Sequence, residues 1–387
     1  MSPYRGLVTA YDWDELRGLS LARQFPETPG RGPEAVSEVV SETVAETVGR
    51  IGPIQSQTAR SPYAALGARL PGVTHDAVTA AYESHAIVRG STIRGTVHTS
   101  TAAQHALLDA TTRVGQRSTW VRLLRLRHTE VEELWQATER FAADDWRSPD
   151  ELVEHLRTWL RTHDEEVPEV IDGGAVRYLA FGHGGLLRRP LKGEWSGQGA
   201  PGYRTATALL PDRVVPDDAL LAAVRLHVAS YGPASRRDVA WWSGLGLRRV
   251  DDLLARLDLT WREGPGGQPY ADVADAPAPR DLPGVRLLPE FDAVLCGYDP
   301  KARDRFVDPA DHQQLWHRNN GYMLAPTLVD GRVGGHWRIE GSGRSRTLVL
   351  RSFAGSRRPR RAELEEPVAA LSVALGVPLE SVTVARG

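Results

Sequence analysis

Apolar side chains recur along this chain with two alternating periods, and their alternation outlines an architecture. After Asp12, Leu16, Leu19 and Leu21 are separated by polar residues, the spacing of a helix with one apolar face. Val36, Val39, Val40, Val44 and Val48 then repeat at i+3 and i+4 behind Gly32-Pro33, which predicts an amphipathic helix stopped by Gly52-Pro53. Ile54-Gln55-Ser56-Gln57 follows as a short extended piece. Ser61-Pro62 is an N-cap and first-turn signal for a helix through Leu70. Pro71-Gly72 ends that helix, and Thr74-His75-Asp76 opens another containing Val78, Ala81 and Tyr82. Residues 87–98 read as two short strands around a tight turn, and helices followed by a β-hairpin are the order of a winged helix.

The pattern returns downstream. Residues 130–163 are predicted helical, with Val131, Leu134 and Trp135 and then Leu152, Val153, Leu156 and Leu160 on the apolar face. Residues 176–181 and 204–209 look like strands around a Gly-rich loop. A third helical unit begins at Asp217, with Ser235 as N-cap of a helix over 236–242 and Gly244-Leu245-Gly246 turning the chain into 250–257. Residues 261–281 form a Gly/Pro/Ala-rich connection. Strands are then predicted at 285–288, 323–329, 332–339, 347–353 and 382–385, with one helix over 362–375. Asp330-Gly331 is a two-residue hairpin turn. The expected organisation is α+β: three winged-helix-like units over 1–125, 126–215 and 216–282, and a β-rich domain over 283–387 carrying a hairpin at 321–339.

Length and composition narrow the class. The 387 residues, 41% hydrophobic and 25% charged, exclude a disordered or fibrous chain. No run approaches the roughly 18 apolar residues of a membrane span. Residues 1–23 interleave Asp12, Asp14, Glu15 and Arg17, unlike a signal peptide, and Cys296 is the single cysteine, so a soluble, cytoplasmic protein without a disulfide framework is expected. Net charge is −2, but only Lys192 and Lys301 are lysines, so 45 of the 47 basic residues are arginine. Between Glu83 and Glu130 the sole acid is Asp109, against seven arginines; a second arginine cluster spans 344–361. Segregated arginines suit a polyanion, and equally suit solvated helix faces.

The candidate chemistry is sparse. There is no Cys-x-x-Cys and no His-Glu-x-x-His, and His312 and His317 lie five apart, so no metal site is expected. Gly-x-Gly-x-x-Gly after a strand and a Gly-Lys-Ser/Thr phosphate loop are absent, which disfavours cofactor and nucleotide enzymes, and the absence of Gly-x-Ser-x-Gly weakens an α/β-hydrolase reading. In an extended stretch, residues i and i+2 point the same way, so Gln55 and Gln57 are predicted to converge on one spot. Two amides hold a water but are no strong base, which is enough chemistry only when the leaving group departs easily. The alternative is two surface glutamines in a loop.

With these residues in order along the chain, the sequence resembles the AlkZ/YcaQ family of bacterial DNA glycosylases. The resemblance rests on Gln55-Ser56-Gln57 after Ile51-Gly52-Pro53-Ile54, Arg94-Gly95-Thr96-Val97-His98, Tyr231-Gly232-Pro233, Leu287-Leu288-Pro289-Glu290-Phe291-Asp292, Gly297-Tyr298-Asp299 and the stretch Val329 to Trp337. It implies winged-helix motifs around an open basic channel for DNA, plus a C-terminal β-barrel-like domain. It also implies a monofunctional glycosylase, without cofactor, for bulky N7-alkylguanines. Such enzymes unhook interstrand crosslinks and protect the producer of an alkylating natural product. Gln55 and Gln57 would position water and stabilise the sugar cation. Ser56 stands where the family has an aliphatic or small residue; facing away, it changes little. Candidate DNA contacts are Arg89, Arg94, His98, Arg332 and His336, with His98 equally a packing residue and the hairpin equally an ordinary barrel hairpin. Asp292 supplies either a carboxylate or a buried cap. The expected partner is double-stranded DNA, bound by a monomer near the nucleoid. A winged-helix regulator or lesion sequesterer without catalysis, and a protein interaction scaffold, are the rival readings.

Overall fold

The computed structural model describes residues 10–26, 41–164, 181–316, 321–343 and 345–386. Helix α1 (Trp13–Gln24) is capped by Asp12, whose carboxylate accepts from Glu15 N. It is followed by α2 (Ser41–Ile51), β1 (Ile54–Gln55), α3 (Ser61–Gly67) and α4 (His75–Glu83). Thr74 caps α4 as the sequence predicts, whereas Ser61 lies inside α3 rather than capping it. A hairpin of β2 (Ile87–Thr92) and β3 (Thr96–Thr101) leads into the 23-residue α5 (Ala102–Leu124). The sequence pattern had not marked α5, because its buried face includes polar Gln104, His105, Asp109, Thr111 and Thr112.

The predicted helix over 130–163 is two helices, α6 (Val131–Phe141) and α7 (Pro149–His163), the second opened by a Ser148–Glu151 capping box. The strand expected at 176–181 lies almost wholly outside the described residues. The actual pair is β4 (Leu186–Pro190) and β5 (Pro201–Thr205). These strands join the first hairpin in one antiparallel sheet, β1-β3-β2-β4-β5, so the ranges 1–125 and 126–215 share a sheet instead of forming separate ones. Gly90 permits the junction: a Cβ there would sit 3.2 Å from the Leu186 carbonyl oxygen and 3.0 Å from His105 Nε2.

A third group contains α8 (Ala219–Tyr231), β6 (Ala234–Ser235), α9 (Arg236–Ser243), α10 (Leu247–Leu254), β7 (Thr260–Gly264) and β8 (Gln268–Asp272). Its strands form a sheet in the order β6-β8-β7. The connection predicted over 261–281 is therefore half hairpin, with Gly266 and Gly267 supplying the positive φ of its turn. The last sheet has the order β13-β12-β11-β10-β9, from β9 (Val285–Leu287), β10 (Ala325–Val329), β11 (Arg332–Ser342), β12 (Ser345–Ser352) and β13 (Ser381–Arg386). It is open, not a closed barrel, and α11 (Glu365–Leu375) packs on it and on α3. There the α3–α11 approach is close enough that a Cβ on Gly67 would meet Ala374 Cβ at 2.8 Å.

The cores cut across the four predicted ranges. One joins α2, α3 and α4 to the C-terminal sheet and α11. A second joins Leu21, Ile93, Leu108, Tyr231 and Trp242 to Leu288, Val294, Tyr298, Phe306 and Met323. Segments distant in sequence are thereby clamped around β1 and Gln55. No described helix is long and apolar enough to cross a membrane.

Candidate active site

The glutamine segment is held from below. Gly52 turns the chain at φ +82, and a Cβ there would lie 2.5 Å from the Tyr231 hydroxyl oxygen. That hydroxyl donates to Pro53 O at 3.2 Å, while Gln24 Nε2 donates to Ile51 O at 2.8 Å. With β1 pinned, Gln55 falls opposite His98 of β3. Gln55 is only 8% exposed. Its Oε1 lies 3.4 Å from Arg94 Nη2, and Arg94 also donates to Trp242 O at 2.5 Å. The guanidinium reaches these partners because Arg94 occupies the hairpin turn with φ +58. An amide whose oxygen accepts from a fixed cation has a defined orientation.

Gln55 opens into a small cleft with Pro53, Arg94, His98, Tyr231, Trp242, Phe291, Ala293, Cys296 and Gly297. Its titratable groups other than Arg94 are neutral at pH 7. Burial, then the Arg94 charge, pushes His98 down to about 3. Burial pushes the Cys296 thiol and the Tyr231 phenol up. Among the described residues no carboxylate and no lysine lines the cleft. It therefore contains no ordinary general acid or base and no thiolate. What it offers is an oriented amide, one cation and aromatic walls. Among the described residues no cluster of three or more His, Cys, Asp or Glu could hold a metal ion.

Gln57 takes a different course. Strand β1 ends at Gln55, and Ser56 turns inward, its Oγ 2.7 Å from Thr99 Oγ1 and its N–H donating to Val97 O. Gln57 is exposed, and its Oε1 accepts from Val97 N at 3.3 Å. Both glutamines thus lie against Val97–His98, but Gln57 opens to a second cleft with Arg89, Arg188, Arg189 and Gln198. Strict alternation, which predicts one shared spot, lapses because the chain bends after Gln55.

A family model described as DNA glycosylase AlkZ-like matches residues 48–373, taking in both glutamines, both clefts and most of the C-terminal sheet. The chain belongs to the AlkZ-like DNA glycosylase family. It is similar to the interstrand DNA cross-link repair glycosylase of Streptomyces sahachiroi, 25% identical over 381 residues that cover 94% of this chain and 97% of that protein. The fold is similar to the solved structure of the Streptomyces sahachiroi DNA glycosylase AlkZ, with a TM-score of 0.76 and 19% identity over 97% of this chain and all of that one.

In this DNA glycosylase the other candidate residues separate. Arg89 is buried and spends its donors on Trp195 O, Ala59 O and the Tyr82 hydroxyl, so it braces the sheet instead of offering a free phosphate contact. His98 lines the Gln55 cleft as a neutral ring, its Nδ1 2.9 Å from Thr92 Oγ1, and so brings no charge to a phosphate. Arg332 is exposed, 4.0 Å from Asp14 of α1, and lines neither cleft. His336 packs against Phe353 in β11. The Asp330-Gly331 tip does not project. Asp330 N donates to Gly284 O at 2.8 Å and its carboxylate accepts from Gly284 N and Arg357 Nε; a Cβ on Gly331 would meet Leu21. An exposed turn is the next one, where Gly341, Ser342, Gly343 and Ser345 face solvent. Asp292 is a structural cap: it accepts both Arg69 Nη atoms, at 3.0 and 2.7 Å, and Val294 N. Sequence reading missed Phe291, Arg188 and Arg189 as cleft residues. The Arg188-Arg189 pair carried a signal, since the nearest acid after it is Glu194.

Proposed function

We propose that this DNA glycosylase hydrolyses the N-glycosidic bond of bulky N7-alkylguanine adducts, interstrand crosslinks included. The observation that carries the reading is the make-up of the Gln55 cleft, which no carboxylate and no lysine lines. Without a general acid, the leaving base cannot be protonated as it departs. Alkylation at N7 removes that need, because the base already carries a positive charge and leaves neutral. What remains is to place a water and stabilise an oxocarbenium-like sugar, for which preorganised amide dipoles are suited. Without a lysine, no Schiff base forms with the abasic sugar, so the action is monofunctional. Gln55 and Gln57 are the pair assigned to water positioning and cation stabilisation.

Supporting arguments come from the frame. The order α8-β6-α9-α10-β7-β8 has the helix and strand sequence of a winged helix, and α2 to β3 gives a shorter version of it. Arg188 and Arg189 beside Gln57 suit the backbone of a DNA strand. A crosslinked base tethered to the opposite strand cannot enter a deep pocket freely, and shallow clefts fit that restriction. The relative in Streptomyces sahachiroi is named for crosslink repair, which favours this substrate class; we infer a role in self-resistance to a DNA-alkylating natural product from the same lesion chemistry.

The test is incubation of the 387-residue protein with duplex DNA bearing N7-methylguanine and, in parallel, a nitrogen-mustard crosslink. Heating in alkali followed by a denaturing gel reads abasic sites. The expected result is base release without strand cleavage until the alkali step, and its loss in Gln55→Ala and in Gln57→Ala. Base release that survives both substitutions overturns the assignment.

A further inference from the structure

Phe291 is the one apolar side chain among the described non-glycine residues with positive φ, at +59. That backbone region suits glycine or asparagine and is unfavourable for a bulky side chain. The residues on either side hold it there. Glu290 is buried and accepts from Arg60, from the Tyr322 hydroxyl at 3.1 Å and from Ser61 Oγ at 3.5 Å. Asp292 is buried and takes both arms of Arg69, with Val294 N at 3.0 Å. Two anchored carboxylates thus fix the peptide units around Phe291 and turn its side chain into the Gln55 cleft. The ring is half-buried there, edge-to-face with Trp316 at 6.1 Å and with Tyr322 at 5.8 Å. Tyr231 and Trp242 line the same cleft but are 1% and 3% exposed, so Phe291 is its most accessible aromatic wall.

The turn alone would select a glycine; the presence of a phenylalanine needs a second reason. The cleft's charge supplies one. A cationic alkylpurine entering beside Arg94 meets a like charge, and no carboxylate in the cleft offsets it. The remaining attraction for a flat cation is the negative face of an aromatic ring. We propose that Phe291 is a positioning residue for base excision: its ring stacks on the cationic alkylated purine and holds the glycosidic bond against Gln55. This rests on the function proposed above. It also gives product release a direction. The bond's electron pair leaves with the base, which becomes neutral, and the cation–π part of the attraction ends with the reaction.

The test uses full-length protein in single-turnover excision of N7-methylguanine from duplex DNA at saturating enzyme, with thermal unfolding measured on every variant. Phe291→Gly removes the ring at a φ natural to glycine. Relief of that φ offsets part of the packing lost against Trp316 and Tyr322, so the variant is expected to stay folded at the assay temperature while excision slows about 10- to 100-fold, the range of one base–aromatic stack. Phe291→Tyr is expected to excise at nearly the wild-type rate. Phe291→Leu keeps apolar bulk without a π face, and is expected to fall with Phe291→Gly. Wild-type excision by Phe291→Gly overturns the inference, as does a loss of excision that tracks a loss of thermal stability across the series. Equal rates for Phe291→Leu and wild type overturn the cation–π part. Wild-type protein that releases no base overturns the proposed function itself, a different outcome from an unimpaired variant.

Discussion

Lowering the pH from 7 to 5 should destabilise this protein through four buried imidazoles. His98 and His183 are pushed down to about 3, and His105 and His227 to about 4, in each case chiefly by burial. All four are at most 3% exposed. Nε2 of His183 and Nδ1 of His227 lack a hydrogen-bond partner, so an added proton would find no acceptor there. Unfolded, each ring has an ordinary pKa of about 6.5. The folded values are depressed, so below about pH 6.5 the unfolded chain binds protons that the folded chain refuses. The stability is therefore complete above that pH and is lost as the pH falls toward the folded values. At about 1.4 kcal/mol per pH unit, each ring costs roughly 2 kcal/mol between pH 7 and 5, and four give a ceiling near 8 kcal/mol. Charges around them modulate this: Arg94 beside His98, Asp109, Arg113 and Arg213 beside His105, Arg113 and Asp109 beside His183, and Arg305 beside His227. Thermal unfolding across pH 5 to 8 reads the effect. A melting temperature that is flat over that range, or unchanged in slope when His183 becomes Gln, refutes the reasoning.

Other outcomes follow from single contacts. Asp292→Ala leaves the Arg69 guanidinium, whose side chain is 1% exposed, buried without its partner, and should cost about 3–5 kcal/mol in urea unfolding. Gly335→Ala would put a Cβ 2.1 Å from the Arg351 carbonyl oxygen in the β11–β12 ladder and should lower stability by roughly 1–3 kcal/mol, read by the same titration. Arg94→Lys keeps the charge but not the fork that spans Gln55 Oε1 and Trp242 O; excision should slow about tenfold, with little change in DNA affinity by anisotropy. Arg188→Ala should weaken DNA binding and reduce the salt slope of the association constant by about one unit, as expected for one phosphate contact.

Much of the outline was legible in the chain. Capping residues announce α1, α4 and α9 because a side-chain oxygen on a helix's first free N–H is a local interaction. The β2–β3 hairpin and the Asp330-Gly331 turn are likewise local, each set by a few residues of backbone preference. The long α5 escaped because its buried face carries polar side chains, which erase the apolar period. The β7–β8 hairpin escaped because glycines and prolines in its turn look like a linker.

The site divides in the same way. Sequence by itself determined the family resemblance and the two glutamines, since these depend on residue type and near neighbours. Tertiary structure alone decided what surrounds them. Gln55 meets Arg94 through the first hairpin and Phe291 through a loop more than two hundred residues away, held by Arg60, the N-cap of α3, and by Arg69 just past its C-terminal end. Arg89 looks like a phosphate ligand in the sequence, yet packing turns it inward onto Tyr82 and two carbonyls. The physical reason is that charge in a sequence carries no direction. Whether an arginine braces a sheet or faces DNA depends on which distant carbonyl or carboxylate the core brings within 3 Å, and only the fold specifies that.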